Sequence, residues 1–180
     1  MPLLAKRTAE LPILELGCGT GRDTAAFAAA GHRVVGIDMS ARAIEQARQR
    51  VPSGEFRVQD IRAKWPVERA GAIVASLSLH YFPWAETELL VERIGKTLTP
   101  EGVLLCRLNS TNDHHHGASG HPEIEQHYYL VSGRPKRFFD SADVDRLFGL
   151  GWRALCKKEG VIARYDHPKS VWEVVLERTP

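Results

Sequence analysis

Cysteine, aromatic residues and net charge are all scarce in this chain, and each scarcity excludes something. Cys18, Cys106 and Cys156 are the three cysteines, an odd count with no C-x-x-C spacing. A disulfide framework and a cysteine-rich zinc site are therefore not expected. The formal net charge is only +2. Nucleic-acid and membrane surfaces call for a stronger basic bias, so neither is expected as a partner. No apolar run is long enough to span a bilayer, and "MPLLAKRTAE" at the N-terminus lacks the apolar stretch of a signal peptide. A reduced, cytoplasmic setting fits these absences. The oligomeric state leaves no mark in the sequence.

What is present points to one α/β domain over residues 1–180, with 43% hydrophobic residues to build its core. Residues 11–108 alternate between short apolar runs and helical patterns. "LPILEL", "HRVVGID", "EFRVQD", "GAIVASLSL" and "VLLCRL" read as five strands. "RDTAAFAAAG" reads as an alanine-rich helix closed by Gly31, and Ser40 as the N-cap of "ARAIEQARQR". "ETELLVERIGKTL" places Leu90, Ile94 and Leu98 on one helical face, and "TPEG" is a turn signal. Such alternation predicts a mostly parallel, doubly wound sheet with helices on both faces. "DSADVDRLFGLG" reads as a capped helix with Val144, Leu147 and Phe148 on one face. "WRALCKKEG" and "SVWEVVLER" read as a closing hairpin.

The informative stretch is "LELGCGTGRD", where Gly17, Gly19 and Gly21 alternate just after a strand and before a helix. A loop there lies at the carboxyl ends of the strands, where open α/β sheets bind ligands. The spacing is not the dinucleotide pattern, because Arg22 and Thr24 stand where a third glycine would fall. No Gly-Lys-Ser/Thr closes this loop either, so it is not a triphosphate loop. Asp38 ends the second strand, 21 residues after Gly17. A carboxylate there can accept hydrogen bonds from ribose hydroxyls or cap the next helix, and both roles are compatible. Asp60 ends the third strand beside Ile61, where it can meet an adenine amino group or remain a solvated turn residue.

Together, "ILELGCGTGRDTAAFAAAGHRVVGIDMSARAIEQARQR", "VQDI", "SLSLHYF" and "LTPEGVLL" resemble the class I S-adenosylmethionine-dependent methyltransferases in order and spacing. The tail is more loosely similar to small stand-alone members of the type-11/12 and tellurite-resistance groups. The resemblance implies a Rossmann-like, seven-stranded sheet with an antiparallel C-terminal strand. It implies S-adenosylmethionine as cofactor and S-adenosylhomocysteine as product. Glu15 and the glycine loop, including Cys18, would hold the methionine part. Asp38 would hold the ribose, Asp60 and Ile61 the adenine, with Met39 and Ser76 completing the cofactor set. A nucleophilic Cys18 is not expected, since transfer from a sulfonium needs no enzyme nucleophile.

The acceptor side is less legible. His80 and Tyr81 follow the fourth strand, where no Asn/Asp-Pro-Pro-Tyr or Pro-Cys occurs. His80 is a candidate general base or a pocket-shaping residue. Residues 109–139 are polar and mixed, and read as a solvated substrate lid on which the core does not depend. Tyr81, Tyr128 and Arg134 are candidate acceptor contacts. The histidines of this stretch do not have the spacing of a metal site, and no metal is expected. The function expected is methyl transfer to a small molecule by in-line displacement. The rivals are an RNA or protein methyltransferase and a non-catalytic cofactor-binding protein.

Overall fold

The computed structural model describes residues 2–163 and 166–179. Seven strands form one sheet in the order β3-β2-β1-β4-β5-β10-β9. The central strands are β1 (Ile13–Leu16) and β4 (Ala70–Ser76), flanked by β2 (Val34–Asp38), β3 (Glu55–Val58) and β5 (Leu98–Asn109). β1 pairs in parallel with β2 and β4, β2 with β3, and β4 with β5. β10 (Lys169–Arg178) runs antiparallel to both β5 and β9 (Trp152–Ile162). The fold is thus the Rossmann-like arrangement expected, with the last strand antiparallel.

The helices divide between the two faces. α1 (Pro2–Ala5), α2 (Arg22–Ala29) and α3 (Ala41–Arg50) cover one, while α4 (Trp84–Thr97) and α5 (Ser141–Leu147) cover the other. All four residues of β1 are buried, as befits a strand with both faces covered. Ser40 caps α3 by accepting from the Ala43 N–H at 3.2 Å. Asp140 and Asp143 form a reciprocal capping box on α5. The expected "TPEG" turn lies inside β5. Leu98 pairs with Ala70 but Val103 with Ala72, and the residues between bulge out with Glu101 at φ 62°.

The stretch after β5 departs from the expectation of a solvated lid. It folds into a second antiparallel sheet of β6 (Glu123–Glu125), β7 (Tyr128–Val131) and β8 (Arg134–Arg137). Ser132 and Gly133 turn β7 into β8, both with positive φ, as a two-residue hairpin requires. The unit is anchored to the large sheet by buried contacts. Lys169 Nζ donates to Asp113 Oδ2 at 2.8 Å, and Asn109 Nδ2 to the Arg137 carbonyl at 3.1 Å. Phe138 and Phe139 are fully buried. The core therefore does depend on this segment. Removing Asp113 would break this buried ion pair.

Candidate functional site

The three loop glycines are glycine for different reasons. All have positive φ, 73° at Gly17, 52° at Gly19 and 73° at Gly21. A Cβ on Gly17 would stand 2.7 Å from the Ser78 Cβ, and one on Gly21 would stand 3.1 Å from the Ala47 Cβ. Those two glycines serve the protein's own packing. A Cβ on Gly19 would meet nothing within 4 Å. Its open side is where a ligand can come against the backbone. The loop is held by the Gly17 and Cys18 N–H groups, which donate to the Ile37 carbonyl at 2.8 and 3.0 Å.

Carboxylates surround this loop. Asp38 accepts from the Gly19 N–H at 2.9 Å and from the Ser40 N–H at 2.8 Å. It thus ties the loop to the start of α3, and its helix-entry role and its place beside the crevice coexist. Glu15 is 3% exposed and accepts from the Thr24 hydroxyl. Burial pushes its carboxyl up to about 7, opposed by the Thr24 bond and reinforced by the charges of Asp23 and Asp38. Burial and the charges of Glu15 and Asp38 likewise push the Cys18 thiol up, so Cys18 is inert as a nucleophile. Met39 is 73% exposed and offers an unpartnered apolar side chain beside Asp38. Ile61 is buried.

Asp60 is where the resemblance implies, but it is engaged. Arg62 grips its carboxylate through Nε at 3.1 Å and Nη2 at 2.6 Å, and the Arg62 N–H adds a third bond at 2.8 Å. Those bonds hold its carboxyl below the usual range, against the opposing pull of burial. Ser76 accepts from Arg107 Nη1 at 3.3 Å and lines a cleft of about 410 Å³ between α2 and strands β4, β5, β9 and β10. That cleft opens on the sheet face rather than above Asp38, so Ser76 stands apart from the other candidates.

Beyond β4 the chain makes a 3-10 turn, Leu79–Tyr81. His80 is buried there, with the Tyr81 ring 4.0 Å from its own. Burial, then the charges of Lys136 and Lys169, hold its imidazole well below the usual range, and it is neutral at working pH. Tyr81 is half exposed. Tyr128 is buried, its hydroxyl donating to the Tyr81 carbonyl at 3.0 Å. Arg134 is exposed on β8 and, two residues from Lys136, shares its face of the strand. The structure thus gathers Glu15, Gly19, Asp38 and Met39 on one side, and His80, Tyr81 and Tyr128 on another.

Several residues of this edge were not singled out by sequence reasoning: Thr24, Ser78, Asn109, Asp113 and Lys169. Ser78 and Asn109 follow or end strands, which was the available signal. Lys136 lies in the basic stretch "RPKR", and the Ser132-Gly133 pair before it was the available hairpin signal. Among the described residues, His127, Asp140 and Asp143 place ligand-type atoms within 4.8 Å of one another. Their bonds are those of a helix cap, with His127 Nδ1 2.7 Å from Asp143 Oδ2.

The family model described as "Methyltransferase domain" matches residues 13–102, half of the chain. A trans-aconitate 2-methyltransferase of Paracidovorax citrulli is 38% identical over 101 residues, covering 53% of this chain and 38% of that protein. The chain spans about two fifths of the length of the curated relatives it matches. An S-adenosylmethionine-dependent methyltransferase structure from Methanosarcina mazei superposes with a TM-score of 0.79 at 17% identity, over 94% of this chain and 92% of that one. A 1,6-didemethyltoxoflavin-N1-methyltransferase of Burkholderia thailandensis superposes with a TM-score of 0.74 at 20% identity, over 99% and 77% of the two chains. These structural likenesses establish a shared fold.

Proposed function

The chain belongs to the methyltransferase domain family, and from that premise we propose that it binds S-adenosylmethionine and methylates a small molecule. The observation that carries the reading is the open side of Gly19, flanked by Asp38 and backed by the buried Glu15. The residues fit the cofactor. A backbone without a side chain admits the amino-acid part closely, and Asp38 can accept from ribose hydroxyls. An acidic cluster suits a ligand that carries an ammonium and a sulfonium. Met39 and Ile61 offer apolar surface for the adenine. When bound, the cofactor supplies an electrophilic methyl group on sulfur.

The chain's own contribution is alignment and exclusion of water. The second sheet roofs the end of β4, with Tyr128 and Arg137 bonded to the Tyr81 and Phe82 carbonyls at 3.0 and 3.2 Å. A small acceptor suits an edge so enclosed. The same reading sets the protein in the cytoplasm, where free cysteines such as Cys18, Cys106 and Cys156 persist. Among the described residues, no helix is long and apolar enough to cross a membrane.

Calorimetry with S-adenosylhomocysteine tests the reading. The wild type is expected to bind it without competition from NAD. Gly19→Val, which fills the open side and strains a backbone at φ 52°, is expected to lose some stability yet keep a folded circular-dichroism spectrum, while losing about tenfold or more in affinity. Equal affinity in the two proteins would remove Gly19 from the site. No binding by the wild type would end the methyltransferase reading.

A further inference from the structure

The end of β4 holds polar atoms that its own fold leaves unanswered. Ser78 Oγ and His80 Nδ1 are both buried, and neither has a hydrogen-bond partner among the described residues. An unpaired buried donor or acceptor is unfavourable, and in a native structure it asks for an explanation. Ser78 stands against Gly17, so its hydroxyl adjoins the glycine loop.

The second sheet brings an excess of positive charge to the same place. β8 packs against the 79–81 turn. Half-buried Lys136 donates to the His116 carbonyl at 2.8 Å, and no carboxylate of the described residues lies within ion-pairing distance of it. Lys169 is paired with Asp113. Among the described residues two cations thus stand beside one carboxylate, and both act on the buried His80. A neutral imidazole so depressed is a weak base. This edge is poorly equipped for an acceptor that must first lose a proton.

Given the donor site proposed above, we propose that the end of β4 receives a carboxylate-bearing acceptor, anchored by Lys136 and hydrogen-bonded by Ser78 and His80. The carboxylate answers the excess positive charge and both unpaired atoms at once. It also needs no base. A carboxylate oxygen attacks with its own lone pair, the O–CH3 bond forms as the S–CH3 bond breaks, and the bonding pair stays on sulfur. The acceptor's negative charge and the sulfonium's positive charge cancel, giving a methyl ester and a thioether with no proton moved. Lys136 is here a binding and specificity residue. Asn109 Oδ1, also buried and unpaired, is an acceptor and has no part in holding an anion.

The test titrates the full chain, saturated with S-adenosylhomocysteine, with trans-aconitate and separately with its neutral trimethyl ester. Mono-, di- and tricarboxylates are then assayed with S-adenosylmethionine for alkali-labile methyl ester. The acid is expected to bind and the ester not. Lys136→Met should weaken carboxylate binding and raise KM by about 10- to 100-fold, with kcat at saturation and S-adenosylhomocysteine affinity little changed. Lys136→Arg should recover most of the loss. Carboxylates that bind no better than their esters and yield no methyl ester, or a Lys136→Met variant with unchanged carboxylate KM, would overturn the inference. Those outcomes would leave the donor reading standing if S-adenosylhomocysteine still binds. Failure of S-adenosylhomocysteine to bind the wild type would sink the donor reading instead.

Discussion

Glu15, Asp23 and Asp38 crowd the glycine loop, whereas Lys136 and Lys169 crowd His80 at the end of β4. The two groups, which meet where Ser78 stands against Gly17, carry opposite charge. Burial, reinforced by the like charges of Asp23 and Asp38, raises the Glu15 carboxyl to about 7, and burial, reinforced by Lys136 and Lys169, holds the His80 imidazole neutral. Each side is therefore under electrostatic stress that a ligand of the complementary sign relieves. A cationic methyl donor suits the first and an anionic acceptor the second. The sides also differ in construction. The acidic one comes from a single run of chain between β1 and β2. The basic one is assembled from the 79–81 turn, β8 and the start of β10.

The largest expected effect breaks the acidic side from within. The Glu15 carboxyl is raised from 4.5 to about 7 in the folded protein. The folded state therefore binds a proton that the unfolded state releases. The stability this contributes is fully present below pH 4.5 and is lost as pH rises through 7. A shift of that size corresponds to about 3 kcal/mol. Glu15→Gln is expected to abolish this decline and to be more stable than wild type by up to about 3 kcal/mol at pH 8. It should also bind S-adenosylhomocysteine more weakly. Urea denaturation at pH 5 and pH 8 reads the difference, and a wild type equally stable at both would remove the stress.

Asp38→Ala comes next. It takes away a charged acceptor and frees two backbone N–H groups, those of Gly19 and Ser40. Hydrogen bonds to charged groups are worth about 1.5–3 kcal/mol, so S-adenosylhomocysteine affinity should fall roughly 10- to 100-fold. Calorimetry on the folded variant decides it, and an unchanged Kd would detach Asp38 from the ribose.

A pH profile sharpens the contrast with a smaller effect, at most about tenfold per pH unit. Burial and Lys169 lower Lys136 to about 8, with Asp113 opposing them and His80 neutral beside it. Carboxylate affinity should therefore weaken as pH rises through 8, when Lys136 loses its charge. S-adenosylhomocysteine affinity should weaken as pH falls through 7, when Glu15 gains a proton. Titrations from pH 6 to 9 should show the two trends with opposite sign. Parallel trends would mean that the two sides do not differ in charge.

The smallest effect belongs to Asp60. Its carboxylate is partly exposed and already gripped by Arg62. Exposed pairs contribute little, about 0–1 kcal/mol. Asp60→Asn should change S-adenosylhomocysteine affinity by less than about fivefold. A tenfold or greater loss would show that Asp60 trades Arg62 for the adenine.

Much of the donor side was legible in sequence because its causes are local. Alternating glycines report positive φ within five residues. Ser40 and Asp38 act on N–H groups within a few positions or across one parallel strand pair. The 109–139 segment was misjudged for the opposite reason. Its "YYLVSGRPKR" hairpin is short and half polar, and its anchoring depends on Lys169, 56 residues away from Asp113. The loop's excess of polar side chains looked like solvation, whereas Arg137, Asp113 and Ser110 are buried among partners.

The sequence by itself determined the alternating strands and helices, the position of the glycine loop and the carboxylate that faces it. Hydrophobic period, caps and positive-φ turns are properties of neighbouring residues, so they are written in neighbouring letters. Only the tertiary structure decided that Gly19, and not Gly17 or Gly21, is the open glycine. It alone put Lys136 beside His80 and left Ser78 and His80 with unpaired atoms. Those facts depend on strand order and on which segments the sheet brings within a few ångströms, and no periodicity encodes that proximity.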